Sequence, residues 1–66
     1  MSEELIENLL SDLESRKGDY DLEGVELTPE DAERAASLIS KGKSREEAID
    51  TVLRGIRECL DDDLDD

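Results

Sequence analysis

Apolar residues recur along the first segment of the chain with the spacing of one helix face. They stand at positions i, i+1, i+4, i+5 and i+8, as Leu5, Ile6, Leu9, Leu10 and Leu13. This spacing places all five side chains on a single stripe of an α-helix. We therefore predict a first helix over residues 3–17, with Gly18 as its stop signal.

The second segment opens with a helix-start signal. Thr28 can cap the helix, Pro29 suits the first helical position, and Asp31 stands where a capping-box acid is expected. The apolar face that follows consists of small residues and one branched residue: Ala32, Ala35, Ala36 and Ile39. The pattern predicts a second helix over residues 29–41, which ends before Gly42.

A third helix is predicted over residues 45–60, because Ser44 and Glu47 have the spacing of a capping box. Six apolar residues follow at helical spacing: Ala48, Ile49, Val52, Leu53, Ile56 and Leu60. Cys59 falls beside this stripe, and we predict that it is half-buried and acts as a small hydrophobe. Residues 61–66 read DDDLDD, in which like charges repel and no packing pattern appears.

These segments predict an all-α fold, a small three-helix bundle over residues 1–60 followed by a disordered acidic tail over residues 61–66. The length of 66 residues allows one domain at most. A domain this small has a marginal core and no room for a deep substrate cleft.

Charge and composition narrow the function. The chain carries 21 acidic residues against 8 basic ones, a net charge of −13, and it has no histidine. Phosphate-rich nucleic acids and anionic membranes would repel it, so we expect neither as a partner. Without a histidine or a nucleophile–base pair, the composition argues against an enzyme and against a bound cofactor. The acidic start and the lack of a long apolar run favour a cytoplasmic protein.

The segment DYDLEGVELTPED between the first two helices invites a calcium-site interpretation. Its acids and glycine approximate the spacing of a calcium-binding loop, as Asp19, Asp21, Glu23, Gly24 and Glu30. Glu26 occupies the position where such loops usually carry an aliphatic residue, and no second loop follows. We therefore predict no metal site and keep four residues as weak candidates: Asp19, Asp21, Glu23 and Glu30.

The stretch LEGVELTPEDAERAASLISKGKSREEAIDTVLRGI, about half of the chain, resembles the VbhA-type antitoxins, small inhibitors of Fic-domain AMP-transferases. Four features carry the resemblance: the pair Glu23-Gly24, the helix start Thr28-Pro29-Glu30, the turn with Gly42 and Ser44, and the run Glu47-Ala48-Ile49. Asp19 stands where the hydroxyl residue of the family's inhibitory motif is placed. The resemblance implies a Fic-domain protein as the partner in a toxin–antitoxin pair.

The resemblance also implies a mechanism for blocking AMPylation. An inhibitory helix aims Glu23 into the ATP site of the enzyme, where it pairs with an arginine that would otherwise hold the γ-phosphate. Arginine binds carboxylates and phosphates through the same bidentate geometry. The partner-binding residues would be Asp19, Glu23 and Gly24, and the first helix would supply docking area through Leu5, Leu9 and Leu13.

Two other functions remain open from the sequence. The acidic chain could act as a decoy that occupies the nucleic-acid-binding surface of another protein. It could also be a lone calcium-binding helical module. The first would depend on total charge, and the second on the four weak metal candidates.

Overall fold

The computed structural model describes residues 3–63, with side chains described for residues 3–60. It has three α-helices, α1 (Glu3–Arg16), α2 (Pro29–Ser40) and α3 (Arg45–Asp63), and a short 3₁₀ helix (Lys17–Tyr20) after α1. This part of the chain has no strand. The predicted all-α, three-helix fold is therefore confirmed.

The helix boundaries agree closely with the predicted ones. The helices α1 and α2 each end one residue earlier than predicted, and α3 runs to Asp63, three residues past its predicted end. Disorder over residues 61–66 stays a prediction, because residues 64–66 and all side chains from residue 61 onward lie outside the described part. No helix within residues 3–63 has both the length and the apolar composition required to cross a membrane.

The core lies where the three apolar faces meet. Its buried members are Leu9, Leu13, Leu22, Ala32, Ala35, Ala36, Ala48, Ile49, Val52 and Leu53. All of them except Leu22 belong to the predicted helix faces. The alanines of α2 have short side chains, so α1 and α3 can both pack closely against this helix.

Two predictions at the end of α3 are wrong. Leu60 was expected on the buried face but is 41% exposed, and the Cys59 thiol is exposed where a half-buried position was predicted. Both residues follow Ile56, the last of the described α3 side chains that packs against the core. Helical periodicity gives the direction in which a side chain points, whereas burial also requires another helix or loop alongside that turn of the helix.

Local signals explain where the helices begin and end. At the start of α2, the Asp31 carboxylate accepts the backbone N–H of Thr28 at 3.2 Å, and the predicted capping box is present. After α2, Gly42 adopts a φ of +106°, which glycine tolerates far better than other residues. The N–H of Lys43 then bonds to the carbonyl of Leu38 at 3.1 Å, which closes a Schellman motif.

The start of α3 is held in two ways. The Ser44 hydroxyl oxygen accepts the backbone N–H of Glu47 at 3.2 Å, as the predicted cap requires. The Arg45 guanidinium binds the Asp12 carboxylate of α1, with Nε 2.7 Å from Oδ2. Both side chains are well exposed, so this ion pair contributes at most about 1 kcal/mol. It links the first residue of α3 to the middle of α1.

Candidate functional site

The chain reverses direction directly after α1. The 3₁₀ helix contains Gly18, and Asp21 follows it in the left-handed conformation with a φ of 60°. The Asp21 N–H bonds to the Gly18 carbonyl at 3.3 Å, and the Leu22 N–H bonds to the Lys17 carbonyl at 2.9 Å. These bonds bring the residues around Glu23 back toward the end of α1.

Leu22 holds this segment against the bundle. Its side chain is only 1% exposed and belongs to the core. Full burial of a leucine side chain is worth about 1.5–3 kcal/mol. Leu22 lies on none of the predicted helix faces, so its burial was not predicted. The sequence signal for it is the set of apolar residues that recurs through the linker and packs on the core, namely Tyr20, Leu22, Val25 and Leu27.

Glu23 and Gly24 are the two central residues of a tight turn. The Val25 N–H bonds to the Leu22 carbonyl at 3.0 Å, which closes the turn. On the far side, the Lys17 ammonium donates to the Val25 carbonyl at 3.1 Å in a partly buried position. The turn is therefore held at both ends, by core packing before Glu23 and by a hydrogen bond after Gly24.

The Glu23 side chain is exposed and has no hydrogen-bond or ion-pair partner among the residues that the structure describes. It lies over Gly18, since a Cβ atom placed on Gly18 would be 3.5 Å from the Glu23 carboxylate oxygen Oε2. Next to it, Gly24 faces open space, with no atom within 4 Å of the position of an added Cβ. The turn thus presents one carboxylate that is available to accept hydrogen bonds from another molecule.

A polar cluster from α3 holds the residues just before the turn. Arg57 Nη1 donates to the Tyr20 carbonyl at 3.1 Å and to the Asp21 carboxylate at 3.2 Å. The Tyr20 hydroxyl donates to the Asp50 carboxylate, which also pairs with Arg54 at 3.3 Å. The hydrogen bond to Asp50, followed by burial, raises the pKa of Tyr20 above its ordinary value. Because the ion pairs are exposed, this cluster orients the loop more than it stabilises the fold.

Asp19 and Glu23 are not brought together on one α-helix. Asp19 is exposed in the 3₁₀ helix, and the chain turns at Asp21 before it reaches Glu23. The resemblance implies an inhibitory helix around this segment, whereas the structure shows a 3₁₀ helix followed by a turn. In this geometry the burial of Leu22, and not a continuous helix, fixes the position of Glu23.

The three leucines expected to dock on a partner differ in accessibility. Leu9 and Leu13 are fully buried in the core of this chain, and Leu5 is 37% exposed. The stripe of α1 points inward because α2 and α3 cover it. A docking role for Leu9 and Leu13 would require α1 to leave the bundle, whereas Leu5 is accessible on the folded chain.

The weak metal candidates do not converge. Within the described part of the chain, no group of three or more acidic, cysteine or histidine side chains could hold a metal ion. The Asp21 carboxylate is paired with Arg57, Glu23 lies over Gly18, and Glu30 belongs to the first turn of α2. The calcium-loop spacing in the sequence is therefore not accompanied by a calcium-loop conformation.

The candidate site therefore consists of one exposed carboxylate, that of Glu23, on a turn that is held at both ends. No protein-family model matches the chain, and neither does any curated protein or solved structure. The resemblance to the VbhA-type antitoxins accordingly rests on the matching residues of the sequence.

Proposed function

We propose that this chain is a binding protein that inhibits a Fic-type AMP-transferase, with Glu23 as the inhibitory residue. The proposal is supported by the sequence resemblance around Glu23-Gly24. The observation that carries it is the exposed Glu23 carboxylate, which has no partner among the described residues and lies on a turn held by the core residue Leu22. The chain acts by occupying a site and not by catalysis.

A carboxylate suits this task because of the chemistry of its target. An arginine that grips the γ-phosphate of ATP forms an equally good bidentate pair with a carboxylate. While Glu23 occupies that arginine, the nucleotide loses the contact that orients its phosphates for transfer. The interaction takes place in a water-excluded pocket, where a paired charge is worth more than at a surface.

The rigid turn lowers the cost of inserting Glu23. Ordering a flexible loop on binding would consume part of the interaction energy, whereas a preorganised loop avoids that cost. Here the Leu22–Val25 hydrogen bond and the Lys17–Val25 hydrogen bond fix the backbone on either side of Glu23. Gly24 adds no side chain beside the carboxylate, so a partner's backbone can approach closely.

The surface charge supports the same proposal. With a net charge of −13, the chain is attracted to the basic rim that surrounds a phosphate-binding pocket. Attraction of this kind raises the rate of encounter and falls with added salt. Leu5, the accessible member of the α1 stripe, adds apolar contact area on the folded chain.

The proposal is tested with the variant Glu23→Gly and a Fic-type AMP-transferase that copurifies with the chain. Transfer of AMP is followed with ATP radiolabelled on its α-phosphate. We expect the parent chain to block transfer and Glu23→Gly to release it, with the fold unchanged because exposed substitutions usually stay within about 0.5 kcal/mol. Arg16→Ala, an exposed change in the last turn of α1, serves as the control and should inhibit like the parent.

Two outcomes would contradict the proposal. If Glu23→Gly inhibits as strongly as the parent chain, the carboxylate is not the inhibitory group. If inhibition is instead lost in proportion to the number of acidic residues removed anywhere on the surface, the acidic-decoy function is favoured.

A further inference from the structure

Two helices of the chain end in a Schellman motif, and the two motifs differ in the residue at the left-handed position. After α2 this residue is Gly42, the usual choice. After the 3₁₀ helix it is Asp21, with a φ of 60° and a ψ of 37°. Both hydrogen bonds that close the motif are present there, at 3.3 and 2.9 Å. Among the described residues, Asp21 alone has a positive φ without being a glycine.

An aspartate at this position is less favourable for the backbone than a glycine. The left-handed conformation brings a Cβ atom close to the following carbonyl oxygen, although aspartate tolerates it better than most residues. Backbone strain of this kind persists where the surrounding structure enforces it, and it is frequent at functional sites. The presence of Asp21 is therefore explained by contacts that a glycine could not make.

Arg57 of α3 provides those contacts. Its Nη1 atom donates to the Asp21 carboxylate at 3.2 Å and to the backbone carbonyl of Tyr20 at 3.1 Å. One guanidinium thus binds both the side chain of the left-handed residue and the peptide group that leads into it. A glycine at position 21 would keep only the second of these contacts.

Arg57 belongs to a polar stripe of α3 that faces the linker. Asp50, Arg54 and Arg57 stand at positions i, i+4 and i+7, the spacing of one helix face. Asp50 accepts a hydrogen bond from the Tyr20 hydroxyl and pairs with Arg54. The stripe therefore binds Tyr20 and Asp21, the two residues at which the chain reverses.

The conformation of Asp21 decides the direction of the chain two residues before Glu23. With Asp21 left-handed, the Glu23 side chain lies over Gly18. A right-handed or extended residue at this position would send the following backbone in another direction. The pair of Arg57 with Asp21 is exposed and contributes little to the stability of the fold. A small energy is nevertheless sufficient to select one backbone conformation of a single residue.

We propose that Arg57 is a positioning residue for the Glu23 carboxylate and acts by holding Asp21 in the left-handed conformation. Burial of Leu22 fixes the segment to the core, and Arg57 fixes the direction in which the chain enters the turn. The consequence for inhibition rests on the proposed function. The effect on the turn is a property of the free chain, so the two are tested by separate measurements.

The first measurement is made on the free, full-length ¹⁵N-labelled chain. In the parent we expect order parameters of about 0.85 for the Glu23 and Gly24 amides, as in rigid backbone. Arg57→Gln should lower them and change the three-bond HN–Hα coupling of Asp21, which reports its φ. Arg45→Gln is the matched control, because it breaks another exposed pair between an arginine of α3 and an aspartate outside α3. It should leave these values unchanged.

The second measurement is inhibition of AMP transfer, in which two substitutions of Asp21 separate backbone conformation from the ion pair. Arg57→Gln should raise the concentration for half-inhibition by up to about fivefold, the range of an exposed ion pair. Asp21→Gly and Asp21→Ala both remove the carboxylate, but only glycine adopts the left-handed conformation freely. Combined with Arg57→Gln, Asp21→Gly should restore inhibition, and Asp21→Ala should be about tenfold weaker than the glycine variant. Circular dichroism at the assay temperature verifies that every variant is folded.

The outcomes distinguish this proposal from the proposed function. If Arg57→Gln changes neither the order parameters nor the Asp21 coupling, Arg57 does not position the turn and the proposal is overturned. Equal inhibition by the glycine and alanine double variants also overturns it, because the φ of residue 21 would then not govern Glu23. A folded parent chain that fails to inhibit refutes the proposed function instead, and the relaxation and coupling data still decide the role of Arg57.

Discussion

Replacement of Leu22 by alanine tests the role of the linker in the fold. The side chain is 1% exposed and lies in the core, although it belongs to no α-helix. Its removal should both destabilise the bundle and free the turn that carries Glu23. Replacement of a linker leucine that did not pack in the core would have neither effect.

The magnitude follows from burial. Truncation of a buried leucine to alanine costs about 2–5 kcal/mol, and the value depends on how far the cavity can collapse. The loop around Leu22 faces solvent at Glu23 and Gly24 and can partly relax, so we expect the lower half of this range, about 2–3 kcal/mol. A domain of this size has a total stability of roughly 3–10 kcal/mol, so the loss is a large share of it.

The measurement is urea unfolding followed by circular dichroism, with Leu60→Ala as the matched control. Leu60 is 41% exposed, and the same truncation there should change the free energy of unfolding by less than about 0.5 kcal/mol. If the two variants unfold at the same urea concentration, Leu22 does not hold the linker to the core and the reasoning fails.

Three further predictions concern single residues. Gly42→Ala should destabilise the fold by about 1–2 kcal/mol in thermal unfolding, because the φ of +106° strains any residue with a Cβ. An unchanged melting temperature would show that residue 42 does not have this backbone conformation. Gly55→Ala should stabilise the fold by up to about 1 kcal/mol, since the added methyl group meets no atom within 4 Å, and a lower melting temperature would show that the site is crowded. Tyr20, the only tyrosine of the chain, should titrate above its ordinary pKa of 10.0 in an absorbance titration of the folded protein, and Asp50→Ala should bring the pKa back toward that value. Because the pKa of Tyr20 is raised in the folded state, the hydrogen bond from Tyr20 to Asp50 stabilises the fold below about pH 10. This stabilisation is lost as the pH rises through the folded-state pKa.

The helices could be predicted because their signals are local. The apolar spacing of α1, α2 and α3 gave nine of the ten core residues, as all but Leu22 lie on the predicted faces. The caps at Thr28 and Ser44 and the stop at Gly42 depend on residues within five positions of each other. Such signals fix the boundaries without knowledge of the tertiary structure.

Features that depend on distant parts of the chain were not predicted. The hydrogen bonds from Tyr20 to Asp50 and from Arg57 to Tyr20 join residues 30 and 37 positions apart. Exposure of Leu60 and Cys59 likewise follows from the length of α3 relative to its neighbours and not from its periodicity. Of the three leucines predicted to dock on a partner, Leu9 and Leu13 are buried and Leu5 is exposed, because the bundle uses most of the stripe for its own core.

The candidate site was identified through the resemblance, whereas its geometry came from the structure. Glu23 and Gly24 were singled out by the matching residues, but an isolated Glu-Gly pair gives no information about conformation. The burial of Leu22 and the bond from Lys17 to Val25 show how a short turn can aim one carboxylate. Both depend on packing of the linker against α1, which a local pattern does not reveal.

The central claim is that one carboxylate, and not the total negative charge, inhibits the partner. It is tested most directly by the rate of AMP transfer in the presence of Glu23→Gln compared with Glu26→Gln. Both residues are exposed in the same linker, and both variants remove one negative charge. We predict that Glu23→Gln releases transfer while Glu26→Gln inhibits like the parent chain. Equal inhibition by the two variants, or an equal loss in both, would contradict the claim.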